Sequence, residues 1–165
     1  WLISDNDQFQ TNLKSEFAKK KIDPERIIFS KKVPIDEHLN RIKNADLFLD
    51  TFPYNAHTTC SDSLWAGVPL VTIEGQSFQS RVASSLLKSS GLDEFIAKNE
   101  NEYLEKAIFF ATNKNHLKNL KSKLIESRNE NPIFDNLSFT KNIEKAYSLV
   151  LEKKLKGEKA QDIYL

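Results

Sequence analysis

The stretch Leu49-Asp50-Thr51-Phe52-Pro53-Tyr54-Asn55-Ala56-His57-Thr58-Thr59-Cys60-Ser61-Asp62 joins a short apolar run to a helical pattern through a loop. Residues 47–50 read as a strand whose run Leu47-Phe48-Leu49 is continuously apolar, as in a sheet buried on both faces. Residues 59–66 read as a short helix stopped by Gly67 and Pro69. Strand, loop and helix in that order make one βα unit, and such units build parallel sheets.

The same alternation continues on both sides. Residues 1–4 read as a strand, and 8–20 as a helix with Phe9, Leu13 and Phe17 on one face. A second strand is predicted over 26–30 after Pro24, and a helix over 36–44 with Ile35, Leu39 and Ile42 as its apolar stripe. Residues 70–73 form the fourth strand. A helix over 76–90 follows, with Phe78, Val82 and Leu86 in register and Gly91 as a left-handed C-cap. Residues 95–97 suggest a short fifth strand. Helices over 103–111 and 116–127 come next, Pro132 breaks the pattern, and Phe139, Ile143, Tyr147 and Val150 mark a last amphipathic helix. The fold class is therefore α/β: one Rossmann-like parallel sheet flanked by helices, with a helical tail. Ligands of such sheets bind beyond the carboxyl ends of the strands. That places residues 30–38, 50–59 and 74–77 around one crevice.

At 165 residues, 39% hydrophobic and 28% charged, the chain can bury a core as a single domain. A net charge of +1 gives no basic field, which argues against nucleic acid as a partner. No apolar run approaches the roughly 20 residues that span a bilayer, so no membrane partner is expected. Cys60 is the only cysteine. That excludes an intrachain disulfide and suits a reducing cytoplasm. Trp1 opens the chain inside an apolar run and there is no methionine, which reads as a fragment beginning within a strand.

Two segments are equipped for chemistry. Thr59 and Asp62 have the hydroxyl-then-carboxylate spacing of a capping box. The same helix start can also bind an anion, since it offers free N–H groups, a positive dipole end and the hydroxyls of Thr58 and Thr59. Asp62 could then accept from ribose hydroxyls. Upstream, His38 and Arg41 stand three apart on one helix face. They are either an exposed pair beside the core or a platform for a flat polar ring. There is no Gly-x-Gly-x-x-Gly and no P-loop. Asp5-Asn6-Asp7 has a metal-like spacing but also suits a turn, and no metal or other cofactor is expected. Cys60 has no identifiable partner base, and His116 lies in a polar helix as a surface residue.

These segments resemble the C-terminal catalytic lobe of the O-GlcNAc transferase family, including its SPINDLY-like members. Residues 26–30 carry the resemblance, with Pro34, Glu37, His38 and Arg41. It continues through Ala45-Asp46, Leu49-Asp50-Thr51 and His57-Thr58-Thr59 with Asp62, then Leu64-Trp65-Ala66-Gly67 and Ser80-Arg81-Val82-Ala83. It runs on through Ile96-Ala97-Lys98-Asn99 to the last helix. The resemblance implies the C-terminal lobe of a two-lobed GT-B glycosyltransferase over residues 1–165, with the N-terminal lobe and tetratricopeptide repeats outside this chain. It implies UDP-GlcNAc as the donor substrate and a protein acceptor held by those other parts. His38 is then expected near the uracil with Arg41 at its edge, and the Val33 backbone paired with the base. Thr58 and Thr59 take the pyrophosphate, Asp62 the ribose, and His57 lines the donor site.

Two positions depart from the family. Ile35 stands where a lysine is common, and the loop over 52–55 is bulkier than in animal members. The family transfers sugar to serine or threonine with inversion and without metal; no general base is assigned here. Two alternatives stand beside this reading: the same fold with UDP-glucose or GDP-fucose, and a non-catalytic interaction domain. The isolated chain is expected to have little activity.

Overall fold

The computed structural model of the chain describes residues 1–163, which fall into a unit of residues 1–44 and a unit beginning at Ala45. In the first unit, β1 (Leu2–Ile3) pairs in parallel with β2 (Phe29–Ser30), Leu2 opposite Phe29. Between them lies α1 (Asp7–Lys19). Asn6 caps it, accepting from the Phe9 N–H at 2.8 Å. The Asp-x-Asp spacing is thus explained by a helix start. The predicted strand over 26–30 is shorter than expected, because residues 24–26 form a 3₁₀ turn capped by Asp23. Next comes α2 (Ile35–Ile42), which buries Ile42, whereas Ile35 is 61% exposed and is no part of a core stripe.

The second unit carries β3 (Phe48–Leu49), β4 (Leu70–Ile73) and β5 (Ile96–Ala97) in the order β3-β4-β5, all parallel. All four residues of β4 are buried, as befits a central strand covered on both faces. β3 is an edge strand, so Leu49 is exposed rather than enclosed. The strand pairing therefore forms two sheets, one in each unit, and not the single sheet expected.

Helices cover the second sheet: α3 (Thr58–Trp65), α4 (Val82–Ser89), α5 (Glu100–Thr112) and α6 (Lys114–Glu126). Cys60, Leu64, Leu87, Phe95 and Phe110 meet β4 in the core, where the Phe95 and Phe110 rings stack at 4.0 Å. Two helix ends use the αL cap. Gly67 has φ +81° and Gly91 φ +67°, and the following residue returns its N–H to the helix (Val68 to Ser63 O, Leu92 to Leu87 O). The helix predicted over 76–90 begins only at Val82. Ser77 and Ser80 cap each other reciprocally and close a 3₁₀ turn, which leaves Phe78 74% exposed. The last helix, α7 (Asn136–Leu155), buries no residue. Of its predicted face, Ile143 is half-buried, while Phe139, Tyr147 and Val150 are exposed. No described helix is long and apolar enough to cross a membrane.

Candidate functional site

A cleft of about 360 Å³ opens where β3 ends and α3 begins, lined by residues that include Asp50, Thr51, Tyr54, Asn55, His57, Thr58 and Thr59. Its wall is built around Asp50. One carboxylate oxygen accepts the N–H groups of Thr51 and Ala56, each at 2.8 Å, so one atom ties both ends of the loop. The other oxygen accepts the Thr72 hydroxyl at 2.6 Å, fixing the loop to β4. The Asp50 carbonyl accepts the Tyr103 hydroxyl at 2.8 Å, adding α5 to the frame. Burial raises the Asp50 carboxyl above its usual range, against the opposing pull of those hydrogen bonds and His57. Burial also pushes Tyr103 up to about 12 and Cys60 up to about 12. Cys60 is thus a core thiol with no thiolate character, in line with its exclusion as a nucleophile.

Inside the loop, the Thr51 hydroxyl donates to Tyr54 O at 2.6 Å and Asn55 Nδ2 donates to Thr51 O at 2.8 Å. The Phe52–Pro53 peptide is cis. The Gln79 carbonyl accepts the Asn55 N–H at 3.1 Å and lies 3.3 Å from His57 Nε2, so the turn after β4 braces the loop. His57 also stacks on Tyr54 at 5.1 Å and meets the edge of Phe78 at 6.0 Å. Asn55 is 1% exposed, and its Oδ1 has no hydrogen-bond partner among the described residues.

The capping box predicted for Thr59 and Asp62 does not form. His57 is the N-cap residue, and no side chain caps the helix. Asp50 and Gln79 hold the incoming chain, which starts the helix one residue early and turns Thr58 and Thr59 into its exposed first turn. Among the described residues, neither threonine hydroxyl nor the Asp62 carboxylate has a hydrogen-bond partner. The Thr58 and Thr59 N–H groups have no partner among the described residues, as at any helix start, whereas the Cys60 N–H donates to His57 O at 3.0 Å. The cleft therefore presents hydrogen-bond donors without partners at a positive dipole end, the arrangement that binds an anion.

Val33, His38 and Arg41 lie in the first unit. Arg41 Nη2 is 3.2 Å from His38 Nδ1, Nη1 donates to Lys31 O at 2.9 Å, and the guanidinium lies 4.9 Å from the Trp1 ring centre. Guanidinium nitrogens only donate, so His38 Nδ1 is the acceptor of this contact. The pair is therefore hydrogen-bonded and half-buried, not a pair of free surface side chains. Val33 sits in the loop before α2 with no backbone hydrogen bond among the described residues. His116 is on the surface as expected, 3.1 Å from Glu94. No cluster of three or more metal-type side chains occurs among the described residues.

Sequence reading gave no role to Asp50, Asn55, Thr72 or Tyr103. The one local signal was an acidic residue closing an apolar strand at Asp50, where a buried carboxylate implies donors waiting in the fold.

The model of glycosyl transferase family 41 matches residues 1–143. A UDP-N-acetylglucosamine–peptide N-acetylglucosaminyltransferase of Caenorhabditis elegans is 37% identical over 135 residues, covering 82% of this chain and 12% of that protein. A probable enzyme of the same name, SEC, from Arabidopsis thaliana is 35% identical over 98% of this chain and 17% of its own length. A probable SPINDLY enzyme of Solanum lycopersicum is 42% identical over 67% of this chain and 12% of its own length. Among solved structures, a mutant O-GlcNAc transferase of Thermobaculum terrenum superposes with a TM-score of 0.80 at 30% identity, covering 86% of this chain and 27% of that one. The chain thus spans less than a fifth of the length of these curated relatives.

Proposed function

The chain belongs to glycosyl transferase family 41, and from that premise we propose that it is the nucleotide-sugar-binding lobe, C-terminal in its enzyme, of a transferase that moves GlcNAc from UDP to protein serine or threonine hydroxyls. The observation that carries this reading is the start of α3. There the hydroxyls and N–H groups of Thr58 and Thr59 line a cleft and have no hydrogen-bond partner among the described residues.

In the proposed reaction the acceptor oxygen bonds to the anomeric carbon as the bond to the diphosphate breaks, the electron pair leaves on the β-phosphate, and the hydroxyl proton is released to solvent. Charge grows on the diphosphate in the transition state. Fixed donors at a helix N-terminus stabilise it there without having to reorganise. Thr58 and Thr59 are assigned to the diphosphate, Asp62 to the ribose hydroxyls and His57 to the cleft wall. His38 is assigned to the uracil face, with Arg41 acting through it by holding the ring, and the Val33 backbone to the base edge. The binding lobe works without metal, and the acceptor is held by parts of the enzyme outside this chain.

Titration with UDP and with uridine tests the phosphate assignment. The Thr58→Val and Thr59→Val double variant should bind UDP about ten- to a hundredfold more weakly, since each bond to a charged group contributes about 1.5–3 kcal/mol. Uridine binding should be unchanged. Equal loss of both ligands would show that the helix start is only structural.

A further inference from the structure

Asn55 lines the cleft with an unpartnered side-chain oxygen whose chemistry does not match phosphate. Its carboxamide orientation is fixed from inside the loop, because Nδ2 donates to Thr51 O at 2.8 Å and a flipped amide would set oxygen against oxygen. Oδ1 is therefore a true acceptor, in a residue 1% exposed, without a donor among the described residues. A buried acceptor left without a donor is costly, and native structures rarely tolerate one. Next to it the helix start offers donors, the hydroxyls and N–H groups of Thr58 and Thr59, with the Asp62 carboxylate one turn on as a further acceptor. A diphosphate at neutral pH is acceptor-only and can satisfy those donors, but it cannot satisfy Asn55. The ligand that completes this cleft must carry an O–H or N–H next to its phosphate.

We propose that Asn55 Oδ1 reads the glycosyl group, accepting a hydrogen bond from a hydroxyl of the sugar carried on the diphosphate. This rests on the donor-binding function proposed above. Asn55 is then a specificity-determining residue that separates a sugar nucleotide from the bare nucleotide.

The test is calorimetric titration of the chain with UDP, UDP-GlcNAc, UDP-glucose and monodeoxyfluoro analogues of UDP-glucose, in which fluorine removes one donor at a time. In the wild type, one analogue should bind about five- to tenfold more weakly than UDP-glucose. In Asn55→Ala that discrimination should fall below twofold while UDP affinity stays within twofold. Asn55→Asp, which keeps an acceptor oxygen, should retain the discrimination while all the nucleotides weaken through its added charge. This variant also decides the matter should Asn55→Ala fail to fold. A flat analogue series, or discrimination undiminished in Asn55→Ala, or lost in Asn55→Asp, overturns the proposal, and a buried water would then be the partner of Oδ1. Failure of the wild type to bind UDP at all is a different result. It overturns the donor-binding function and this inference with it.

Discussion

Replacing Asp50 tests whether the cleft is held from behind. Its carboxylate accepts three hydrogen bonds, two from loop N–H groups at 2.8 Å and one from Thr72 at 2.6 Å. In Asp50→Ala three buried donors lose a charged acceptor, each bond contributing about 1.5–3 kcal/mol. Relief from burying the carboxylate offsets several kcal/mol of that loss, leaving a net cost of about 3–5 kcal/mol. Asp50→Asn keeps an oxygen for the two N–H groups, and the Thr72 hydroxyl can rotate to accept from the new amide. Its cost should be about 1–2 kcal/mol. Urea unfolding followed by Trp65 fluorescence in a Trp1→Phe background reports the second unit. With a slope of about 2 kcal/mol per M, the midpoint should drop by about 2 M for alanine and by under 1 M for asparagine. The pH dependence has a definite sign. The folded-state pKa of Asp50 is raised, so the folded state holds its proton more tightly than the unfolded chain. Asp50 therefore contributes stability below its unfolded value near 3.8 that is lost as pH rises through the folded value. The penalty of Asp50→Asn should accordingly be larger at pH 3 than at pH 7. Equal small losses for the two variants would refute the clamp, and a penalty that grows toward neutral pH would refute the raised pKa of Asp50.

Gly67→Ala should destabilise by about 2–3 kcal/mol, since φ is positive and a Cβ would meet the Ile125 side chain, with Cδ1 2.8 Å away. Gly91→Ala, with no atom within 4 Å, should cost only about 1–2 kcal/mol, and equal midpoints in urea would discount the Ile125 contact. Transfer by the complete enzyme should survive EDTA, because the Asn6 of Asp5-Asn6-Asp7 is engaged as a helix cap; loss of activity restored by manganese would count against a metal-free mechanism. The chain by itself should transfer sugar to a protein acceptor at under about a hundredth of the complete enzyme's rate, about 2.7 kcal/mol of lost transition-state stabilisation. Comparable initial rates in a radiolabelled-sugar assay would show that the acceptor contacts lie within these residues.

What the sequence disclosed and what it withheld divide by range of interaction. Residues 70–73 were legible because a central strand buried on both faces is written as an unbroken apolar run. The αL cap at Gly91 was legible because the left-handed conformation selects glycine at that single position. His57, Thr58 and Thr59 were legible as a group because they are consecutive, so any helix that begins there brings them together. The capping box failed although its spacing was right. The helix start is fixed by hydrogen bonds from the Ala56 N–H to Asp50 and from the Asn55 N–H to Gln79 O, and no local pattern records those. The helix over 76–90 was overextended for a similar reason: apolar period runs on through Phe78, while the Ser77–Ser80 pair closes a turn against it. Asp50 shows the limit most clearly. Its partner Thr72 lies 22 residues away and becomes a neighbour only through the β3–β4 register that sets Leu49 opposite Val71. A residue whose role depends on register is mute until the sheet is assembled. The donors at the mouth of the cleft could therefore be read from the chain, whereas the carboxylate that holds them, and the Asn55 oxygen left over beside them, required the fold.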